Sequence, residues 1–233
     1  MRKQTVELGM AVLLLLSVYF LSEKTAQMTA SAKTIKPVVV VDAGHGGADP
    51  GKVAEDGCRE KDINLAIAKK VQEKLKKADV EVIMTRDNDE MLHDAGNTGE
   101  KTRDMQIRCE IINTSRAACA VSIHQNSFGS TSVKGAQVFY YAGSEQGQEF
   151  ARIMQQQLVE KLDPSNTRVC KADSSYYLLR KTSVPLVIVE CGFLSNPQEA
   201  ALLQTEDFRD RAAGAICAGI EEFLEIQKDN MEN

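Results

Sequence analysis

At 233 residues and 43% hydrophobic content, the chain holds enough apolar material for one ordinary domain with a short extension. A net charge of −5 excludes the basic footprint of a nucleic-acid binder, and 5% aromatic residues with no tryptophan exclude an extensive aromatic ligand surface. The cysteines form no CxxC pair, which argues against a thiolate metal site, and Cys119, Cys191 and Cys217 lie in or beside apolar runs where they read as small buried hydrophobes.

The chain opens with Arg2 and Lys3 ahead of an apolar run from Leu8 to Leu21. That run is short for a bilayer span and typical of a signal-peptide core. Ala30-Ser31-Ala32 reads as a small-residue cleavage site, although it lies far beyond the run's end, so an uncleaved membrane anchor through residues 8–21 is the alternative. Residues 1–32 are therefore predicted to be a signal peptide or an anchor, and both readings export the rest of the chain. Residues 22–36 are polar and small, with 33–36 as a linker into a single domain over 37–227.

Pro37 to Asp42, with its four valines, predicts a strand buried on both faces. Gly44, Gly46, Gly47, Gly51 and Gly57 fill the following loop, which implies unusual backbone angles or close approach to a ligand. A phosphate-cradling loop is disfavoured because neither the Lys-Ser/Thr of a P-loop nor a dinucleotide fingerprint is present. Ile63, Ile67, Val71 and Leu75 recur every four residues and predict a helix from Glu60 to about Lys77. Val80–Thr85 reads as a second strand and Asn88–Thr102 as a long polar loop, in which His93 beside Asp94 reads as a solvated residue. A helix follows over Arg103–Arg116, then a strand over Ala120–His124, a loop over Gln125–Lys134, and a strand over Gly135–Tyr141 at the side of the sheet.

Ser144 is placed to cap a helix ending near Leu162. Ser165–Ser175 reads as irregular, Tyr176–Leu179 as a short strand or turn, and Leu186–Glu190 as the last buried strand. Gly192–Pro197 is a tight connection, Thr205–Ile226 the closing helix, and 228–233 a frayed polar tail. The alternation of strands and helices predicts an α/β domain: a mostly parallel twisted sheet of about six strands with helices on both faces.

Three apolar runs end in chemistry-bearing side chains. The first passes through Asp42 into the loop holding His45, the second ends at His124, and the third at Glu190. In open α/β sheets the carboxyl edge of the strands is where ligands bind, so parallel strands would bring these residues together. Two histidines and a carboxylate are a frequent catalytic zinc set with one position left for water. Of Glu60 and Glu190, one would be a ligand and the other a base, a choice the residues leave open. The bland readings are a histidine ending a strand, a glutamate paired to an arginine, and Glu60 as a helix-dipole partner. Cys191 as a nucleophile lacks an assigned histidine base.

The runs Val41-Asp42-Ala43-Gly44-His45-Gly46-Gly47-Ala48-Asp49-Pro50-Gly51, Glu60 with its helix, Ser122-Ile123-His124-Gln125-Asn126-Ser127 and Val189-Glu190-Cys191-Gly192-Phe193-Leu194-Ser195-Asn196 resemble the zinc-dependent N-acetylmuramoyl-L-alanine amidases of bacterial cell walls. The resemblance covers about Pro37 to Leu224, with the motifs in the family's order, and Arg86, Arg108 and Asn113 also resemble family positions. It implies that His45, Glu60 and His124 bind Zn2+ and that Glu190 is the catalytic base. The bond cut would join the lactyl group of muramic acid to L-alanine in peptidoglycan.

Ala43 stands where the family often has proline, and Cys191 where a small or apolar residue is usual. The longer loop between Arg86 and Arg108, with an N-terminal hydrophobic segment and no wall-binding repeats, resembles the germination-specific amidases of spore formers. These remove stem peptides from cortex muramic acid on the way to muramic δ-lactam. A vegetative wall amidase, a non-catalytic peptidoglycan-binding module, and a zinc carboxypeptidase or deacetylase on the same polymer are the competing readings. The resemblance further implies an exported protein, in the cell wall or forespore intermembrane space, that could work with an activating protein partner. The polar loop after His124 and the segment Asn88–Gly99 are expected to shape the substrate groove.

Overall fold

Alternating inward and outward side chains along three buried strands decide how the domain is layered. On β1 (Val38–Ala43), Val39, Val41 and Ala43 join one apolar cluster while Val40 joins another on the opposite face. On β3 (Cys119–Asn126), Cys119, Val121 and Ile123 take the first face and Ala120 the second. On β6 (Leu186–Phe193), Val187, Val189 and Cys191 take the first face, and Leu186 and Ile188 the second. A strand with apolar residues on both faces must be covered on both, which is why these read as continuous apolar runs.

The computed structural model describes residues 10, 15–20, 36–92 and 100–232. β2 (Glu81–Met84), β4 (Gln137–Tyr140) and the two-residue β5 (Lys171–Ala172) complete a six-stranded sheet in the order β2-β1-β3-β6-β4-β5. β2, β1, β3 and β6 are mutually parallel, while β4 pairs antiparallel to β6 and carries β5 parallel to itself. The mostly parallel sheet of about six strands is thus observed.

The helices α1 (Glu60–Lys77), α3 (Glu145–Lys161), α5 (Pro197–Leu203) and α6 (Glu206–Glu232) bury residues in the first cluster. Phe150 of α3 stacks on Phe223 of α6 at 4.4 Å between ring centroids. Among the described residues, the opposite face carries only α2 (Glu100–Thr114) and the single turn α4 (Tyr177–Lys181). That thin cover leaves the second face open toward the carboxyl ends of the strands.

Several expectations are corrected. Of the two readings of Tyr176–Leu179 the turn holds and the strand does not: Tyr177–Lys181 is a helical turn that presses Leu178 and Leu179 onto the sheet beside Phe139 and Ile188, too short to show periodicity. The segment read as irregular holds β5, whose exposed Lys171 and Ala172 carry no apolar signal. That strand takes the sheet's edge, so β4 is second from it. β3 continues past His124 to Asn126 through a register shift, and β6 runs on to Phe193. α2 begins at Glu100, inside the segment read as loop. α5 follows the tight connection, with Pro197 in its first turn and the Asn196 side chain accepting from the Glu199 amide at 3.0 Å.

The polar tail is helical as far as Glu232, because no glycine or proline follows Ile226 to stop α6. Ser144 caps α3 as expected, accepting from Gly147 N at 2.9 Å. His93, Asp94, half of the N-terminal apolar run and its cleavage motif lie outside the described residues. The compact unit that carries the site spans Pro37–Asn233, and Met1–Lys36 forms a separate unit. Among the described residues, no helix is long and apolar enough to cross a membrane.

Candidate metal centre

The register sets the site. Asp42 pairs with Ser122 across β1 and β3, and His124 pairs with Glu190 across β3 and β6. By alternation Asp42, Ser122, His124 and Glu190 share the face of Val40, Ala120 and Ile188, the thinly covered one. Their carboxyl ends open into a pocket of about 390 Å³ whose wall includes His45, Glu60, His124, Tyr176 and Glu190.

Glu60 enters from the first turn of α1, where a carboxylate also complements the helix dipole. Its Oε1 lies 3.2 Å from His45 Nε2 and 2.9 Å from His124 Nδ1. Oε1 also accepts from the Gln125 amide at 3.1 Å and the Asn64 side chain at 3.3 Å, and Oε2 accepts from the Lys52 amide at 2.8 Å. Burial alone would raise the Glu60 pKa, but hydrogen bonds and charge from His124 and His45 hold it well below the carboxylate range. Burial lowers the His45 pKa, yet the bonds to Glu60 and Asp49 outweigh it and raise the group overall.

One donor atom each from His45, Glu60 and His124 lies within 4.8 Å of the others. Two imidazole nitrogens converging on one ionised carboxylate oxygen are the donor set of a three-ligand catalytic zinc site, and the residues fit such an ion. His45 Nδ1–H donates to Asp49 Oδ2 at 2.9 Å, which fixes the tautomer and turns Nε2 toward Glu60.

The backbone is shaped to allow this convergence. A Cβ on Gly44 would fall 2.2 Å from the His124 ring. At Gly51, with φ +66°, a Cβ would fall 2.5 Å from Glu60 Oε2. His45 itself takes φ +62°, a conformation rare for a non-glycine residue and a recurrent mark of functional sites.

Two buried arginines hold the loop. Arg108 on α2 donates to Asp42 Oδ1 at 2.5 Å, to Asp104 Oδ2 at 2.6 Å, and to the carbonyls of Ala43 and His45 at 2.8 and 2.7 Å. Arg86 donates to the carbonyls of Ala43, Gly44, Lys61 and Asn88. Burial would raise the Asp42 pKa, but Arg108, Ser122 and Thr85 hold it down to about 2.

Glu190 is 6% exposed, and its Oε2 has no hydrogen-bond partner among the described residues. Burial raises its pKa to about 7; Glu60 adds to the rise, and the histidine charges oppose it. A carboxylate poised there can accept and return a proton near neutral pH. Cys191 faces the other side, and burial pushes its thiol up to about 12, so it offers no thiolate. All the cysteines are free thiols.

His45, Glu60, His124 and Glu190 are therefore brought together. Asn113 is not: its side chain ties the C-terminal end of α2 to Lys181 and Ser183. Sequence reasoning assigned no role to Asp49, Asn64 or Tyr176. Only Asp49 carried a signal, standing four residues after His45 inside the glycine-rich loop.

The family described as N-acetylmuramoyl-L-alanine amidase matches residues 39–222. The chain is 34% identical over 228 residues to the germination-specific N-acetylmuramoyl-L-alanine amidase of Bacillus subtilis, covering 97% of this chain and 95% of the relative. Among solved structures, the CwlD amidase of Clostridioides difficile in complex with the GerS lipoprotein superposes with a TM-score of 0.80 at 37% identity, covering 82% of this chain and all of that one. The catalytic domain of the amidase CwlV from Bacillus (Paenibacillus) polymyxa superposes at 0.70 with 34% identity, covering 81% and 98% of the two chains.

Proposed function

The chain belongs to the N-acetylmuramoyl-L-alanine amidase family, and within it we propose a zinc-dependent hydrolase of spore-cortex peptidoglycan with His45, Glu60 and His124 as ligands and Glu190 as the base. The observation that carries the assignment of roles is the difference between the two glutamates. Glu60 is ionised and already shared by two imidazoles, whereas Glu190 is raised to about 7, lines the pocket and leaves its buried Oε2 without a partner among the described residues. A ligand must stay ionised; a base must be able to take a proton and release it.

A zinc ion held by the three ligands would polarise the substrate carbonyl and make water acidic enough to attack near neutral pH. Asp49 keeps His45 oriented for that ion, and the amides of Lys52 and Gln125 keep Glu60 in place. Glu190 takes the proton of the attacking water and delivers it to the departing nitrogen of L-alanine. The lactyl carboxylate of muramic acid and a free stem peptide are the products.

The role in germination rests on the Bacillus subtilis relative, which matches nearly end to end. The complex formed by the Clostridioides difficile amidase with a lipoprotein supports an activating protein partner here as well. An extracytoplasmic location, with anchoring or export through residues 8–21, follows from a peptidoglycan substrate and the N-terminal apolar run.

Mass spectrometry of purified cortex and vegetative peptidoglycan, incubated with the zinc-loaded protein beside its Glu190→Ala variant, tests the reading. Stem peptides beginning with L-alanine, released from cortex and absent from the variant digest, are expected. Undiminished release by the variant would remove Glu190 from its role. Release of single amino acids or acetate instead would point to a carboxypeptidase or a deacetylase. Preference for vegetative wall would overturn the cortex assignment.

A further inference from the structure

The two oxygens of Glu190 are unlike. Oε2 is buried and unpartnered among the described residues, while Oε1 lies 3.4 Å from the phenol oxygen of Tyr176. We propose that Tyr176 is the positioning residue of the base: its O–H donates to Glu190 Oε1 and so fixes the orientation of the carboxylate at the pocket wall. The proposal rests on the reading of Glu190 as base.

The Glu190 backbone needs no such help, because its Cα is paired with His124 on one side and Gln137 on the other. The side chain does need it. The last torsion of a glutamate is broad, so a carboxylate without a donor has no fixed plane. One donor fixes it.

Tyr176 is held to deliver that donor. Its ring packs on Phe139 of β4 at 5.5 Å between centroids. The chain before it is tied to the sheet through Asp173 N, which donates to the Tyr140 carbonyl at 2.9 Å. It then turns through Asp173 Oδ1, which accepts from both the amide and the hydroxyl of Ser175. Tyr176 itself is the capping residue of α4, and its carbonyl accepts from Arg180 N. Burial and the nearby Glu190 carboxylate push the phenol above its ordinary range, so it remains a donor at neutral pH. Both side chains line the same pocket wall as the metal centre.

The test compares the zinc-loaded full chain with Tyr176→Phe, Glu190→Ala and the double variant, on soluble muropeptides that retain the N-acetylmuramoyl-L-alanine bond. Phenylalanine keeps the packing on Phe139 and removes only the hydroxyl, so melting temperature and bound zinc should match the parent. The expected result is a kcat lower by about tenfold with KM unchanged, the scale of one hydrogen bond to a charged group. In the Glu190→Ala background the same substitution should have no further effect. An unchanged kcat in Tyr176→Phe, a loss of zinc, or an equal loss with and without Glu190 would each overturn the positioning role. Undiminished turnover by Glu190→Ala alone would instead strike the base assignment, and that result is read without reference to Tyr176.

Discussion

The guanidinium of Arg108 lies 2.5 Å from the carboxylate of Asp42, with both side chains at most 2% exposed. This pair supports the candidate metal site, since the same guanidinium also grips the carbonyls of Ala43 and His45. Removing one partner of a buried pair leaves an uncompensated charge, which costs about 3 to 5 kcal/mol. Arg108→Met should therefore lower stability by that amount in denaturant melts and weaken zinc binding through the released His45 loop. A variant of parental stability would show that the pair is not buried in solution.

Asp42 also sets an acid limit. Its pKa is lowered from 3.8 to about 2, so its contribution to stability is complete above about pH 4 and is lost as pH falls toward 2. The loss should amount to roughly 2 kcal/mol, since each tenfold change in proton affinity is worth ~1.4 kcal/mol. Urea melts of the zinc-free protein between pH 2 and 5 measure it, and Asp42→Asn should remove that limb of the profile.

Asp49 orients His45 from behind, through the 2.9 Å bond to Nδ1. Outer-shell partners of metal-bound histidines are worth about 10- to 100-fold in metal affinity. Asp49→Asn should weaken zinc binding by that factor in competition with a chelating dye while leaving the zinc-free melting temperature near the parent. Unchanged affinity would show that Asp49 serves the loop alone.

Gly44 is required by the His124 ring, which a Cβ would approach to 2.2 Å. Overpacking of this kind costs about 1 to 3 kcal/mol. Gly44→Ala should lose zinc affinity together with stability, because the ring that must move belongs to the proposed ligand His124. Retention of full zinc affinity would mean that the loop yields instead of the histidine.

Glu190 predicts a trade between stability and function. Its folded pKa is raised from 4.5 to about 7, so ionisation is disfavoured in the fold and stability falls as pH rises between those values. At ~1.4 kcal/mol for each tenfold change in proton affinity, the zinc-free Glu190→Gln variant should be more stable than the parent by a few kcal/mol at pH 8 and no different at pH 4. Equal stability at pH 8 would show that the carboxylate is well solvated.

Much of this arrangement was legible in the chain. Runs such as Val38–Val41 and Leu186–Val189 can only be strands buried on both faces, and their abrupt ends at Asp42 and Glu190 mark a ligand edge. Short elements were not legible. β5 has no apolar residue to bury beyond Ala172, and α4 is a single turn, so neither reaches the length at which a period shows. Composition, periodicity and motif order thus determine the fold class, the family and the residues that meet at the candidate metal site. Which glutamate is shared by the histidines and which keeps a free oxygen depends on register and on the helix that carries Glu60. So do the Arg108–Asp42 pair, 66 residues apart in sequence, and the approach of Tyr176 to Glu190. Those contacts join elements distant along the chain, and only the packing of the sheet against its helices brings them within hydrogen-bonding range.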